Sequence, residues 1–138
     1  FYIMVLGYLQ DVAQSISYIS RASYKHVNNN HKNLKKGQIK DLKNIDIELS
    51  ELLTKEAKIF ENRDLDDLNE LLIQKNELLK NVSESIEKQV ARIRTDETSP
   101  KNTTLYFSIL LETKDLISAL ISLLQTYEEF HLTTKQSK

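Results

Sequence analysis

Cysteine and tryptophan are absent from the 138 residues, proline occurs once and glycine twice. Without cysteine the chain forms neither a disulfide framework nor a Cys-based zinc site, and the missing thiols fit a reducing compartment. So little glycine and proline leaves almost no turn chemistry for hairpins, which excludes an all-β sandwich or barrel. No glycine-rich loop is available to cradle a phosphate, and no thiol or strained glycine turn supports a Cys/His or Ser/His/Asp nucleophile. An excess of one charge is lacking too: 19 Lys and Arg face 20 Asp and Glu, for a net charge of −1. Composition therefore offers no global attraction to nucleic acid or to an anionic membrane. The opening apolar run, Phe1-Tyr2-Ile3-Met4-Val5-Leu6, falls far short of the roughly 20 residues that cross a bilayer, and no charged segment precedes it as in a signal peptide. It does not start with methionine, so the chain reads as a soluble piece of something longer. What is present in quantity is leucine, 21 residues, and isoleucine, 13 residues, in a chain 40% hydrophobic and 28% charged.

These apolar residues recur at helical spacing in four segments. Tyr2, Val5, Leu6, Leu9, Val12, Ala13, Ile16, Ile19 and Val27 trace a first stripe, ended by Asn28-Asn29-Asn30, because asparagine competes for the backbone and tolerates left-handed geometry. A loop to Gly37 follows. Ile39, Leu42, Ile45, Leu49, Leu52, Leu53, Ala57 and Phe60 form a second stripe, which stops at Glu61-Asn62-Arg63. The short break predicts an antiparallel return, with Asp64 as N-cap and Asp66 and Asp67 in the first turn, where carboxylates favour the helix dipole. The third stripe runs from Leu65 to Ile93 and finishes on Arg92 and Arg94. Ser99 and Pro100 predict the N-cap and N1 of a fourth helix. Its stripe, Leu105 to Phe130, is wide enough to meet two neighbours, and His131 to Lys138 is expected to fray. The reading is an all-α single domain, an antiparallel bundle of four long helices at roughly 1–28, 37–61, 64–95 and 100–131.

The polar interruption of the fourth stripe by Glu112, Thr113 and Asp115 is the sharpest candidate site. Helical stepping puts Glu112 among inward apolar positions, where a carboxylate needs a partner. The first helix offers Gln10, Asp11, Gln14 and Ser17 near its middle, so these groups form one polar layer if the first and last helices are neighbours. Such a layer reads as a metal or anion site, as a satisfied layer that fixes helix register, or as a wet flank. The histidines give less. Glu128-Glu129-Phe130-His131 is the only Glu-x-x-His, at the chain's end, whereas a di-iron bundle needs two such motifs at mid-bundle. His31, followed by Lys32 and Gly37, loosely suggests a histidine phosphotransfer bundle, but the residues before it predict a loop. Asn81-Val82-Ser83 and Asn102-Thr103-Thr104 match the glycosylation sequon, and neither is read as used. Lys25, Lys32, Lys35, Lys36, Lys40 and Lys43 give the first loop a basic face, open to phosphate or anionic lipid but read as solvated, since no aromatics interleave it for base stacking.

Three short segments, Gln38-Ile39-Lys40-Asp41-Leu42, Glu87-Lys88-Gln89-Val90-Ala91-Arg92-Ile93 and Leu105-Tyr106-Phe107-Ser108-Ile109-Leu110-Leu111-Glu112-Thr113-Lys114-Asp115-Leu116, follow Tyr8-Leu9-Gln10-Asp11-Val12-Ala13-Gln14 in an order and spacing that resemble the cytoplasmic C-terminal region of bacterial inorganic phosphate transporters. That region is related to the PhoU proteins, helical bundles that regulate phosphate uptake and signalling. The resemblance implies a noncatalytic PhoU-like regulatory or assembly domain at the cytoplasmic face of the inner membrane. It would pack against the membrane domain of its own transporter chain or against a second copy, without nucleic acid, while the parent protein handles phosphate. PhoU proteins bind metal clusters through spaced carboxylates. Gln10 and Gln14 stand at the corresponding positions, and amides are poor ligands for iron or zinc, so no metal or cofactor is expected. A free-standing PhoU-like metal-binding regulator is the alternative reading, and the phosphotransfer bundle a second.

Overall fold

The computed structural model describes residues 1–95 and 99–136, and among them there are four α-helices and no strand. They are α1 (Tyr2–Asn28), α2 (Lys36–Asn62), α3 (Leu68–Thr95) and α4 (Pro100–Gln136). The all-α architecture read from the four stripes is the one observed. Three boundaries differ. Asp64 does not cap a helix: its Oδ1 accepts a hydrogen bond from the Asp66 N–H at 3.0 Å, a local turn that delays α3 to Leu68. Gly37 lies inside α2, which opens one residue earlier, where Gln38 Oε1 accepts from the Lys35 N–H at 2.9 Å. The tail expected to fray continues α4 to Gln136, giving 37 residues, about 55 Å of helix. Ser99 caps α4 as expected, its Oγ accepting from the Asn102 N–H at 3.4 Å with Pro100 at N1. Asn30 adopts φ 53°, in keeping with the asparagine stop of α1. Asp96, Glu97, Thr98, Ser137 and Lys138 lie outside the described residues.

The helices run antiparallel in sequence. The core is built by α2, α3 and α4: Ile45, Leu52 and Ile59 meet Leu71, Leu78 and Val82, and Tyr106, Leu110, Ile117 and Leu124 close it from α4. The other side of α4, with Leu116, Ala119 and Leu123 buried, is covered by α1. The wide fourth stripe thus does contact two neighbours, α1 and α3. Phe1 stacks on Phe130 at 4.0 Å, and Phe60 meets Tyr127 edge-on at 5.0 Å, so the start of α1, the end of α2 and the end of α4 share one end of the bundle.

The first stripe is the one that the structure redraws. The face of α1 set against α4 runs through Val5, Tyr8, Val12, Ser15, Ile19, Ala22 and His26, and only Ser15 is fully buried. Leu6, Leu9, Ala13, Ile16 and Val27 belong to a second stripe, one residue further on and therefore about 100° around the helix, and all are exposed. Tyr2 is exposed as well. What reads as one broad apolar face is a covered seam and an uncovered one. The small side chains at Ser15 and Ala22 on α1 and at Ala119 and Ser122 on α4 let the two helices approach along that seam.

Candidate functional site

The α1–α4 seam brings together most of the expected polar layer. Asp11 and Gln14 from α1 and Glu112 and Asp115 from α4 line a common open cleft of about 530 Å³, together with Tyr8, Tyr18, Arg21 and Ser118. Gln10 is exposed and does not line it, and neither does Ser17, while Thr113 is buried. Glu112 is only half-buried, not inward, because α1 covers one flank of α4 and leaves the other to the cleft. Asp11, Glu112 and Asp115 form no ion pair and no side-chain hydrogen bond among the described residues. The layer is therefore a wet flank and not a mutually satisfied network. Among the described residues no three His, Asp or Glu side chains are gathered closely enough to hold a metal ion. Glu112→Ala should change the unfolding free energy by no more than about 0.5 kcal/mol, as for a surface position, measured by urea titration.

The histidines are placed away from the cleft. His31 sits in the connection after α1, its ring 5.1 Å from that of His26, whose Nε2 is 3.0 Å from the Lys32 carbonyl oxygen. His131 lies in the last turns of α4, near Tyr127. Asn102, in one of the two sequons, is buried and donates from Nδ2 to the Asn33 carbonyl at 2.8 Å, tying the first connection to the start of α4.

Two buried polar centres lie outside the polar layer expected from the sequence. At mid-bundle Lys75 Nζ on α3 donates to Glu56 Oε2 on α2 at 2.5 Å, with side-chain exposures of 1% and 4%. Burial dominates both titrations. It raises the Glu56 carboxyl and lowers the Lys75 ammonium against the mutual attraction of the pair. A raised carboxyl means that folding takes up a proton above pH 4.5, so this contribution to stability falls as pH rises out of the carboxylate range. A lowered ammonium means that folding releases a proton below pH 10.5, so stability recovers as pH climbs towards that value. A Glu56→Leu/Lys75→Met double variant should lack both slopes when its urea midpoint is compared with that of the parent from pH 4 to 10.

At the other end of the core, Asp41 Oδ2 on α2 accepts from Arg92 Nη2 on α3 at 3.1 Å and from the Tyr106 hydroxyl on α4 at 3.0 Å. Beside it Gln38 Nε2 donates to Gln89 Oε1 at 3.3 Å, and Arg92 Nη1 reaches the same oxygen at 3.4 Å. Burial, then the bond to Asp41, pushes the Tyr106 hydroxyl up to about 12. One carboxylate thus pins three helices. Lys75, Gln38 and Gln89 each fall at a core position of an otherwise apolar stripe, and that mismatch was the available signal.

Among the described residues no helix is long and apolar enough to cross a membrane. Comparison with known proteins returned no matching family model, no similar curated protein and no similar solved structure.

Proposed function

We propose that the chain acts by docking and not by catalysis, as the regulatory or assembly bundle of an inorganic phosphate transporter. The observation that carries the docking half is the uncovered stripe of α1. Leu6, Leu9 and Ile16 are 66%, 48% and 50% exposed on one face of the helix, with Ala13 exposed between them, where isolated exposed apolar residues would need no explanation but a continuous row marks an interaction face. The phosphate half rests on sequence resemblance. It is supported by the meeting of three of its segments, 38–42, 87–93 and 105–116, in a single network through Asp41, Arg92 and Tyr106, as befits one structural unit. The partner proposed for the stripe is the transporter's membrane domain.

A photo-crosslinking residue in place of Ile16 should yield, in cells, a crosslinked peptide from the membrane domain of a phosphate transporter. The same residue in place of Lys58, exposed at the far end of α2, should not. Crosslinks from Ile16 confined to unrelated proteins would contradict the assignment.

A further inference from the structure

The near-zero net charge conceals a strong separation of charge along the bundle. Among the described residues, the end formed by 21–43, 87–95 and 99–104 carries eleven Lys and Arg against two carboxylates, with Asp96 and Glu97 next to it in the sequence. These segments share one end because His26 contacts Lys32, Asn33 contacts Asn102, and Asp41 bridges Arg92 and Tyr106. The opposite end, residues 51–70 and 125–136, carries nine carboxylates against four cations. Arg92 and Asp41 pair with each other. Lys32, Lys35, Lys36, Lys40 and Lys43 are exposed, with no ion pair among the described residues.

Apolar side chains are interleaved with these lysines in a definite pattern. The core side of α2 runs through Gln38, Ile45, Leu52 and Ile59. At 100° per residue, Lys36, Ile39, Lys40, Lys43 and Ile47 fall on the opposite side, over three turns. There they line a shallow apolar depression together with Asn44, and Ile47 is 65% exposed. Nearby, at the end of α1, Tyr24 and Val27 are 69% and 74% exposed beside Lys25. Beyond Ile47 the outward face of α2 turns acidic at Glu51.

A cationic face studded with aliphatic side chains is what an anionic bilayer surface selects: ammonium groups meet lipid headgroups while the Ile side chains enter the headgroup–acyl boundary. Single-stranded nucleic acid would call for stacked aromatics between the cations, and the outward face of α2 has none; a duplex would use the cations alone and leave Ile39 and Ile47 without a role. Free phosphate would call for a concave, desolvated cluster of donors, whereas these five lysines lie along an open surface. We propose that the basic end of the bundle, centred on the outward face of α2 from Lys36 to Ile47, docks on an anionic lipid bilayer. This goes beyond the transporter assignment and holds whatever the parent protein carries.

The test is co-sedimentation of the chain with vesicles of phosphatidylcholine containing increasing phosphatidylglycerol. Binding should appear only with the anionic lipid and fall as salt is raised. Each lysine near an anionic surface is worth about fivefold in binding, so Lys36→Gln/Lys40→Gln/Lys43→Gln should weaken it about a hundredfold. Ile39→Ser/Ile47→Ser should reduce the binding that survives at high salt. Lys55→Gln/Lys58→Gln, at the acidic end, should leave binding unchanged, and circular dichroism should show that each variant keeps its helices. The proposal is overturned if vesicles of both compositions bind equally or not at all. It is overturned likewise if millimolar inorganic phosphate abolishes vesicle binding, which would make the lysines a phosphate site, or if a DNA oligonucleotide binds more tightly than anionic vesicles at the same salt. Failure of Ile16 to crosslink a transporter leaves these outcomes untouched, so the two readings fail separately.

Discussion

Lys75→Met should lower the unfolding free energy by about 3–5 kcal/mol at pH 7 to 8. The ammonium is 1% exposed, and its removal leaves the Glu56 carboxylate 4% exposed with no cation beside it. Glu56 Oε1 already lacks a hydrogen-bond partner, so the remaining group has no reserve of contacts to fall back on. Protonation is its escape, and burial already raises this carboxyl. The deficit of Lys75→Met should accordingly shrink as pH falls towards 4.5, and a urea midpoint series on parent and variant reads this directly. The double variant Glu56→Leu/Lys75→Met should recover most of the loss or exceed the parent, because well-packed apolar groups of similar volume avoid the desolvation cost of both ions. A double variant as weak as the single one would mean that the pair supplies packing that leucine and methionine cannot replace.

Asp41→Ala should cost about 3 kcal/mol, through two broken hydrogen bonds of which one is to a charged donor. The Arg92 guanidinium and Tyr106 hydroxyl would both lose the same acceptor oxygen, and Tyr106 is fully buried with nowhere else to direct its O–H. Three helices lose their common tie at once, so hydrogen exchange should rise at the start of α2 and the end of α3 and not at mid-bundle. Tyr106→Phe removes one bond and should cost less. It should also abolish an alkaline loss of stability: a hydroxyl held at about 12 keeps its proton in the folded state above the ordinary value of 10, so folding is weakened as pH rises through 10 to 12. Asp41→Asn retains an acceptor for Tyr106 and separates the loss of charge from the loss of the oxygen.

The contrast with Glu112 shows which polar residues were legible. Glu112 stands out in the sequence because it interrupts a run of leucines, yet the structure sets it on the lip of a cleft. Lys75 passes unnoticed because lysine is common on helices, and only the position three residues before Leu78 and four after Leu71 places it on the core side. Periodicity identifies the faces of α2, α3 and α4 well, since each has one core direction. It misassigns α1, where two apolar stripes lie side by side at an offset of one residue and spacing alone does not say which of them meets α4. The short connection after Arg63 resembles a helix start because Asp64, Asp66 and Asp67 have the pattern of capping residues, but Asp64 spends its side chain on its own turn.

Charge was legible as a sum and not as a distribution. The balance of 19 cations and 20 carboxylates argues against attraction to anionic surfaces only if the two are mixed, and the fold separates them by the length of the bundle. The basic stretch after α1, which the sequence alone presents as a solvated loop, acquires weight because the end of α3 and the start of α4 add cations beside it, with few carboxylates among the described residues there.

The exposed stripe of α1 is the feature on which the docking account depends, and phosphate uptake is the activity it is proposed to govern. The decisive measurement is the initial rate of labelled phosphate uptake by cells carrying Leu9→Glu/Ile16→Glu in place of the parent chain, with protein levels matched and helicity verified. Both side chains are about half exposed and contribute nothing to the core, so the bundle should persist. The account predicts an altered uptake rate with an intact fold. An uptake rate indistinguishable from that of the parent, with the substituted chain present at full level, would contradict it.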